Sequence, residues 1–303
     1  MRTHFVFERI ALVTVTYESE RLAGFFAETS QLFRHVYVID NHSSDGTVAA
    51  FQEHVPHAQI LAQNENLGFG SANNVGFRAA SADCAWVLFL NPDCKISETS
   101  VRQLLQTLLD HPQAVIACPV VVDAQGQGHG VRQRNYRLGY QHEAVDTIPL
   151  TPDIPTYLPH TCVDGACLLV DRQKFADMGA FNPDLFMYCE EDDISLRALA
   201  RGYSIVTHTG ARAVHLGGAS SPATFRVLLR KAYHGRWSRL YMMGAYIGPD
   251  QRVLGALKTI VAAPLALLIF GLLFQKQQWI KWLGWLAAGI DALMPTRFFR
   301  RMI

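Results

Sequence analysis

Residues 36–54 read VYVIDNHSSDGTVAAFQEH, and this stretch decides how the chain is read. It opens on a β-rich apolar run at 36–39 and passes through a polar turn, Asp40-Asn41-His42-Ser43-Ser44-Asp45-Gly46-Thr47. It closes on a helical pattern at 46–54. The same alternation extends outward, with strand-like runs at 10–16, 60–62, 86–90 and 115–122 and helical stretches at 22–32, 71–80 and 98–109. The strand runs are continuously apolar, which predicts a sheet covered on both faces and built from parallel βα units. In an open parallel sheet a ligand sits at the carboxyl ends of the strands. Here those ends are polar: Thr16-Tyr17-Glu18, then Asp40 to Thr47, then Asn64-Glu65-Asn66-Leu67-Gly68-Phe69-Gly70, then Asn91-Pro92-Asp93. Any one of them is ordinary cap or turn chemistry. Four at one sheet edge predict a nucleotide site.

Composition sets the outer bounds. The 303 residues are 50% hydrophobic and 17% charged, enough to bury a large core. A net charge of +1 provides no general field for a polyphosphate backbone, so nucleic acid is not the expected partner. The six cysteines, Cys84, Cys94, Cys118, Cys162, Cys167 and Cys189, include no CxxC pair and imply neither zinc nor a disulfide framework. A reducing cytoplasm fits this usage. The opening MRTHFVFERIALVTVTY reads as a first strand and not as a cleavable signal.

Residues 123–159 break the rhythm with Gly, Pro, Gln and charge, a long irregular connection of the sort that often carries function. A strand follows at 166–170, a helix at 173–178, and a second helix at 194–200 after the acidic cluster Glu190-Glu191-Asp192-Asp193. Beyond about residue 249 the composition changes. Residues 259–274 lack any charge, and Trp279, Trp282 and Trp285 follow at three-residue spacing. A membrane-spanning helix needs about 20 apolar residues, and this run falls short unless 253–259, with Lys258, joins it. The tryptophans beside Lys276, Lys281, Arg297, Arg300 and Arg301 suggest an interfacial segment drawn to anionic lipid. The alternative is a helical hairpin packed on the catalytic domain or on a second subunit, as in a homo-oligomer.

A dinucleotide-binding enzyme needs GxGxxG directly after the first strand. Here that turn has no glycine, and the pattern beginning at Gly68 fails at Asn73. The chain instead resembles glycosyltransferase family 2, in particular the rhamnosyltransferase-like members that build bacterial surface polysaccharides. The resemblance runs from about residue 10 to 220. It is carried by DNHSSDGT at 40–47, NENLGFGSANNVGF at 64–77, LNPD at 90–93, VDGACLLVDR at 163–172 and FMYCEEDDISLRALARGY at 186–203, followed by His215.

What the resemblance implies is a GT-A fold, a Rossmann-like α/β architecture, with a nucleoside-diphosphate sugar donor and inversion at the anomeric carbon. It implies that Asp40 contacts the base or ribose with Thr16, Glu18 and Asn41 beside it, and that Asn66, Gly68 and Phe69 form the loop passing close to the donor. Glycine there lets backbone N–H groups approach phosphate. Asn73 and Asn74 begin the helix beneath, with capping and packing as their alternative role. Asn91-Pro92-Asp93 takes the place of the family's DxD motif. Asn91 replaces its first carboxylate, leaving Asp93 as main ligand of Mg²⁺ or Mn²⁺ and His215 as a second metal or diphosphate contact. Glu191 matches the base that takes the acceptor proton. Glu190 belongs to the same acidic group, and Asp193 either binds an acceptor hydroxyl or holds Arg197.

The expectation is a GT-A domain over residues 1–248 and a helical, membrane-associating extension over 249–303. The protein is expected in the cytoplasm, peripheral to the inner membrane, moving a sugar to a saccharide or lipid-linked acceptor. A catalytically inactive nucleotide-sugar-binding or scaffold protein of the same fold is the competing expectation.

Overall fold

The computed structural model describes residues 7–128, 130–133, 146–217, 224–294 and 299. The described chain forms two compact units, one of residues 7–128, 130–133, 146–183 and 190–217, the other of 184–189, 224–294 and 299. The first unit contains strands β1 (Phe7–Thr16), β2 (Phe33–Asp40), β3 (Gln59–Ala62), β4 (Trp86–Leu90), β5 (Cys94–Ile96), β6 (Ala114–Val122), β7 (Val131–Gln133), β8 (Asp146–Ile148), β9 (Tyr157–His160), β10 (Cys167–Asp171) and β11 (Ser204–His215). Its helices are α1 (Ala23–Ser30), α2 (Thr47–His54), α3 (Phe69–Ala79), α4 (Glu98–Asp110), α5 (Arg172–Asp177) and α6 (Glu190–Ala200).

The main sheet runs β3-β2-β1-β4-β10-β6-β11-β5, with β9 also on β11. β1 to β4 pair in parallel, as do β6 and β11. β10 lies antiparallel between β4 and β6, and β5 and β9 are antiparallel to β11. The sheet is therefore mixed and not wholly parallel. Continuous burial reads the same in either direction: residues 167–170 of β10 are as fully buried as their parallel neighbours, so periodicity could not give the strand's direction.

Both faces are covered. Leu12, Val38 and Leu88 join one core layer, while Val13, Ile39, Val87 and Phe89 join the other. On the second face α3 lies hard against β1, because a β-carbon at Gly76 would overlap the Val13 side chain. Phe77, Phe89, Phe175 and Phe181 meet there edge-on and tilted, with centroids 5.2–6.3 Å apart. The irregular stretch contains the β7–β8 ribbon and β9. Residues 129 and 134–145 of it lie outside the described chain.

The second unit is built from α7 (Phe225–Tyr246), α8 (Pro249–Leu272) and α9 (Lys276–Leu293). The boundary expected at residue 248 falls between α7 and α8, inside this unit. Glycines bring its helices together: Gly255 lies against Leu240 and Met243, and Gly284 against the backbone of Leu229 and Tyr233. Tyr233 donates to Asp291 at 2.7 Å, and Arg236 donates to the Gly255 carbonyl at 2.9 Å. α8 spans 24 residues, so 253–259 does join the uncharged run, and an 18-residue window within it has a mean hydropathy of 2.2, which makes the helix long and apolar enough to cross a membrane. The tryptophans of α9 are only half exposed. Trp285 lies under Arg236 and Lys281, so the expected lipid-facing tryptophan stripe is partly used within the bundle. Arg297, Arg300 and Arg301 lie outside the described residues.

Candidate active site

The polar ends of β1, β2 and the loop after β3 interlock. Asp40, 3% exposed, accepts from Ser43 Oγ at 2.6 Å, from the Ser43 N–H at 3.0 Å and from Thr16 Oγ1 at 3.2 Å. Glu18 has a positive φ of 52° and accepts from the Ser44 N–H at 2.8 Å and Ser44 Oγ at 2.9 Å. Asn41 ties this turn to the next: its Oδ1 accepts from the Leu67 N–H at 2.8 Å, and its Nδ2 donates to Asn66 Oδ1 at 3.0 Å and the Gly68 carbonyl at 3.3 Å. Asn66 Oδ1 also accepts from the Gly68 N–H at 3.0 Å. Gly68, at φ 83°, turns the chain into α3 where a side chain would be strained. The candidate donor residues of these loops are thus gathered at one edge. Several spend their polar groups on building it.

Two candidates point inward instead. Asn73 donates to the Phe69 carbonyl one turn back, and Asn74 clamps the backbone of Phe181, donating to its carbonyl at 2.8 Å and accepting its N–H at 3.0 Å. Phe69 meets Phe181 edge-on at 6.0 Å.

The Asn91–Asp93 turn leaves β4 and enters β5. The Asn91 N–H donates to the Ala166 carbonyl at 3.0 Å, which sets the turn against the start of β10. Asp93 is buried, and its Oδ1 lies 3.2 Å from His215 Nε2 at the end of β11. That bond, with the charges of Asp93 and Asp164 nearby, raises the His215 pKa above its ordinary 6.5 against the opposing effect of burial. A carboxylate oxygen suits Mn²⁺ or Mg²⁺ when donor phosphates complete the shell, and an imidazole nitrogen beside it favours the softer Mn²⁺. Among the described residues no group of three or more His, Cys, Asp or Glu is placed to hold a metal. The donor set fits a cation that arrives with its diphosphate.

The acidic cluster forms the first turn of α6 and does not precede it, because carboxylates there complement the helix dipole. Tyr188 and Cys189, directly ahead, both have positive φ, 71° and 67°. Such residues cost roughly 1–2 kcal/mol each and here define where the helix starts. The four acids then diverge. Asp193 is paired with Arg197 at 2.6 Å and accepts from Asn182 at 3.3 Å. Asp192 is buried near Cys162. Glu190 is 2% exposed beside Gly70 and Phe181, and its Oε1 has no hydrogen-bond partner among the described residues. Burial first, and the Glu191 charge second, push its pKa well above 4.5. Glu191 is half-buried against Gly165, where a β-carbon would overlap its Oε1.

Asp164 and Gly165 lie within the 163–172 motif but are not among the expected site residues. Asp164 accepts from the Ala166 N–H at 3.1 Å, and its charge acts on His215. The signal is a carboxylate and a glycine at the amino end of a buried strand, an end that shares the edge with the carboxyl ends of its neighbours only because β10 runs antiparallel to them.

Comparison with known proteins agrees with this architecture. The profile described as Glycosyl transferase family 2 matches residues 12–177. The N-acetylglucosaminyl-diphospho-decaprenol L-rhamnosyltransferase of Mycobacterium tuberculosis is 29% identical over 231 residues, 68% of this chain and 75% of that protein. The low-salt glycan biosynthesis hexosyltransferase Agl10 of Haloferax volcanii is 25% identical over 212 residues, 68% of this chain and 66% of that protein. Among solved structures, the mannosyltransferase PcManGT of Pyrobaculum calidifontis, in complex with GDP-Man and Mn²⁺, superposes with a TM-score of 0.52 at 13% identity, over 94% of this chain and 87% of that one. GalNAc-T7 with UDP, GalNAc and Mn²⁺ gives 0.53 at 13% identity over 75% of this chain, which spans half of that one. At such identity these two likenesses concern the fold alone.

Proposed function

The chain belongs to glycosyl transferase family 2, a glycosyltransferase of GT-A fold, and on that premise we propose that it works by inversion, moving a sugar from a nucleoside diphosphate to a saccharide or lipid-linked saccharide. The observation that carries this is two pairs at the sheet edge, Asp93 with His215 and Gly165 with Glu191, linked by Asp164, whose charge acts on His215, and by the Asn91 N–H bond to the Ala166 carbonyl. Rhamnose is the first donor sugar, supported by the name of the relative 29% identical to this chain. The acceptor proposed on the same support is an N-acetylglucosaminyl diphospholipid.

In this reading the turns of Thr16, Glu18, Asp40, Asn41 and Asn66 shape the nucleotide pocket, and Gly68 and Asn91 border the diphosphate. Asp93 and His215 would hold a divalent cation, which supplies charge to the leaving diphosphate. Glu191 takes the proton from the acceptor hydroxyl as its oxygen attacks the anomeric carbon. The bond from that carbon to the diphosphate breaks on the opposite face, and its electron pair leaves with the phosphate. Gly165 leaves the room in which the Glu191 carboxylate sits. The exposed apolar face of α8 supports contact with a membrane, which this reading puts on the cytoplasmic side.

The test is transfer by purified protein from dTDP-rhamnose, UDP-rhamnose and a panel of other nucleotide sugars to a short-chain N-acetylglucosaminyl diphospholipid, with and without Mn²⁺. Anomeric configuration is read by NMR. Retention in the product rules out inversion. Absence of both transfer and donor hydrolysis leaves a binding protein of the same fold.

A further inference from the structure

The residues directly ahead of the acidic turn, Asp184 to Cys189, belong to the same compact unit as α7, α8 and α9. One face of α7 holds them. His234 stacks on Phe186 with ring centroids 4.1 Å apart, Ser238 Oγ donates to the Met187 carbonyl at 2.8 Å, and the Tyr241 hydroxyl donates to Asp184 at 3.4 Å. Positions 234, 238 and 241 are four and three residues apart, the spacing of one helical face. Gly235, on the same turn, lets the Tyr188 ring come close, since a β-carbon there would already lie 3.4 Å from it. His234 and Ser238 are buried at these contacts.

The piece so held ends in strain. Tyr188 and Cys189 have consecutive positive φ angles, and Tyr188 is 42% exposed, so burial does not account for its conformation. Non-glycine residues in this region persist where their surroundings over-determine them, and they collect at functional sites. The next residues are the first turn of α6, with Glu191. Successive residues of a helix are turned by about 100° from one another. A start displaced by one residue would therefore present a different acid to Gly165.

We infer that His234 and Ser238 are positioning residues: by fixing residues 184–188 they set where α6 begins and so hold Glu191 in its place against Gly165. The inference rests on the reading of Glu191 as the base. It adds that side chains of α7, which take no part in the transfer chemistry, act on it through the backbone of Tyr188 and Cys189.

A pair of substitutions at Cys189 separates positioning from packing. Cys189→Gly and Cys189→Asn both remove the thiol and both accept the φ of 67°, but glycine leaves the start of the helix loose whereas asparagine favours the left-handed region. With the nucleotide sugar that supports transfer, and the N-acetylglucosaminyl diphospholipid as acceptor, Cys189→Gly is expected to lower kcat about 10-fold or more, because small misplacements of a reacting group are costly. Cys189→Asn should stay within about threefold of the unsubstituted protein, since its backbone remains defined. Ser238→Ala should lower kcat about 3–10-fold, the range of one hydrogen bond. The KM of each substrate and the affinity for UDP by calorimetry should be unchanged, and the Tm of Cys189→Gly should not fall, because glycine relieves the angle. Equal kcat in the two Cys189 variants, or normal turnover by folded Ser238→Ala, overturns the assignment. A fall in kcat matched by lost UDP affinity or a lower Tm in Cys189→Gly overturns it too, as general loosening. If Ser238→Ala does not fold, the Cys189 pair decides alone. Near-normal transfer by Glu191→Gln overturns the reading on which the inference rests, a result separate from any of these.

Discussion

Neighbouring carboxylates in one helical turn are placed in unlike surroundings, and their chemistry divides accordingly. Asp193 is committed to Arg197, whereas Glu191 rests half-buried on Gly165. Glu191→Gln keeps shape and removes basicity, so transfer at saturating donor should fall about 10²-fold or more, with donor affinity little changed. Near-normal transfer would return the base to another member of the turn. Asp93→Asn should act on binding instead: diphosphate affinity drops, and so does its enhancement by Mn²⁺, because cation and phosphates bind as a unit. Calorimetry with UDP, with and without Mn²⁺, reads both. Glu190 carries a pH effect whose sign follows from burial. Its folded pKa is raised, so above about pH 4.5 the native state holds a proton that the unfolded chain has released. Its contribution to stability therefore falls as pH rises through that interval. Glu190→Gln should lessen the decline in Tm between pH 5 and pH 8, and an identical decline would show that the group titrates normally.

Among the elements, α8 divides most sharply into two faces. Gly255, Ala256, Thr259 and Ala263 are buried, while Leu254, Leu257, Val261, Leu265, Leu268 and Leu272 form a stripe at three- and four-residue spacing, 44–77% exposed. Each such side chain is worth about 1 kcal/mol on leaving water, and Lys258 can extend its ammonium outward. The protein should therefore float with anionic vesicles, and the pair Val261→Asp with Leu265→Asp should abolish this without altering donor hydrolysis. Flotation unaffected by the pair would exclude the stripe as the contact. Elements of this kind were only partly legible beforehand. β1, β2, β4 and β6 were found within a few residues because unbroken apolar runs bounded by polar turns leave little choice. The β11 strand, the β7–β8 ribbon and α7 lacked such borders. At the site, the loops after parallel strands were readable, but Asp164 and Gly165 depended on the direction of β10, which burial does not encode.

For the whole molecule, strand order imposes an order in time. β4 is made early, but one of its two partners in the sheet is β10, and β6 has as its neighbours β10 and β11, both later in the chain. On a ribosome adding about 5–20 residues per second, the β4 edge waits several seconds with its N–H and C=O groups unpaired. An open apolar edge is a template for wrong pairing. Nascent chains stalled before Cys167 should accordingly be protease-sensitive and held by chaperones, and chains stalled with His215 clear of the exit tunnel should be resistant. Equal resistance at the two lengths would mean that the first four strands close on their own. The antiparallel strand that brings Gly165 to Glu191 is thus also the piece for which the rest of the sheet must wait, and birth of the catalytic edge coincides with closure of the fold.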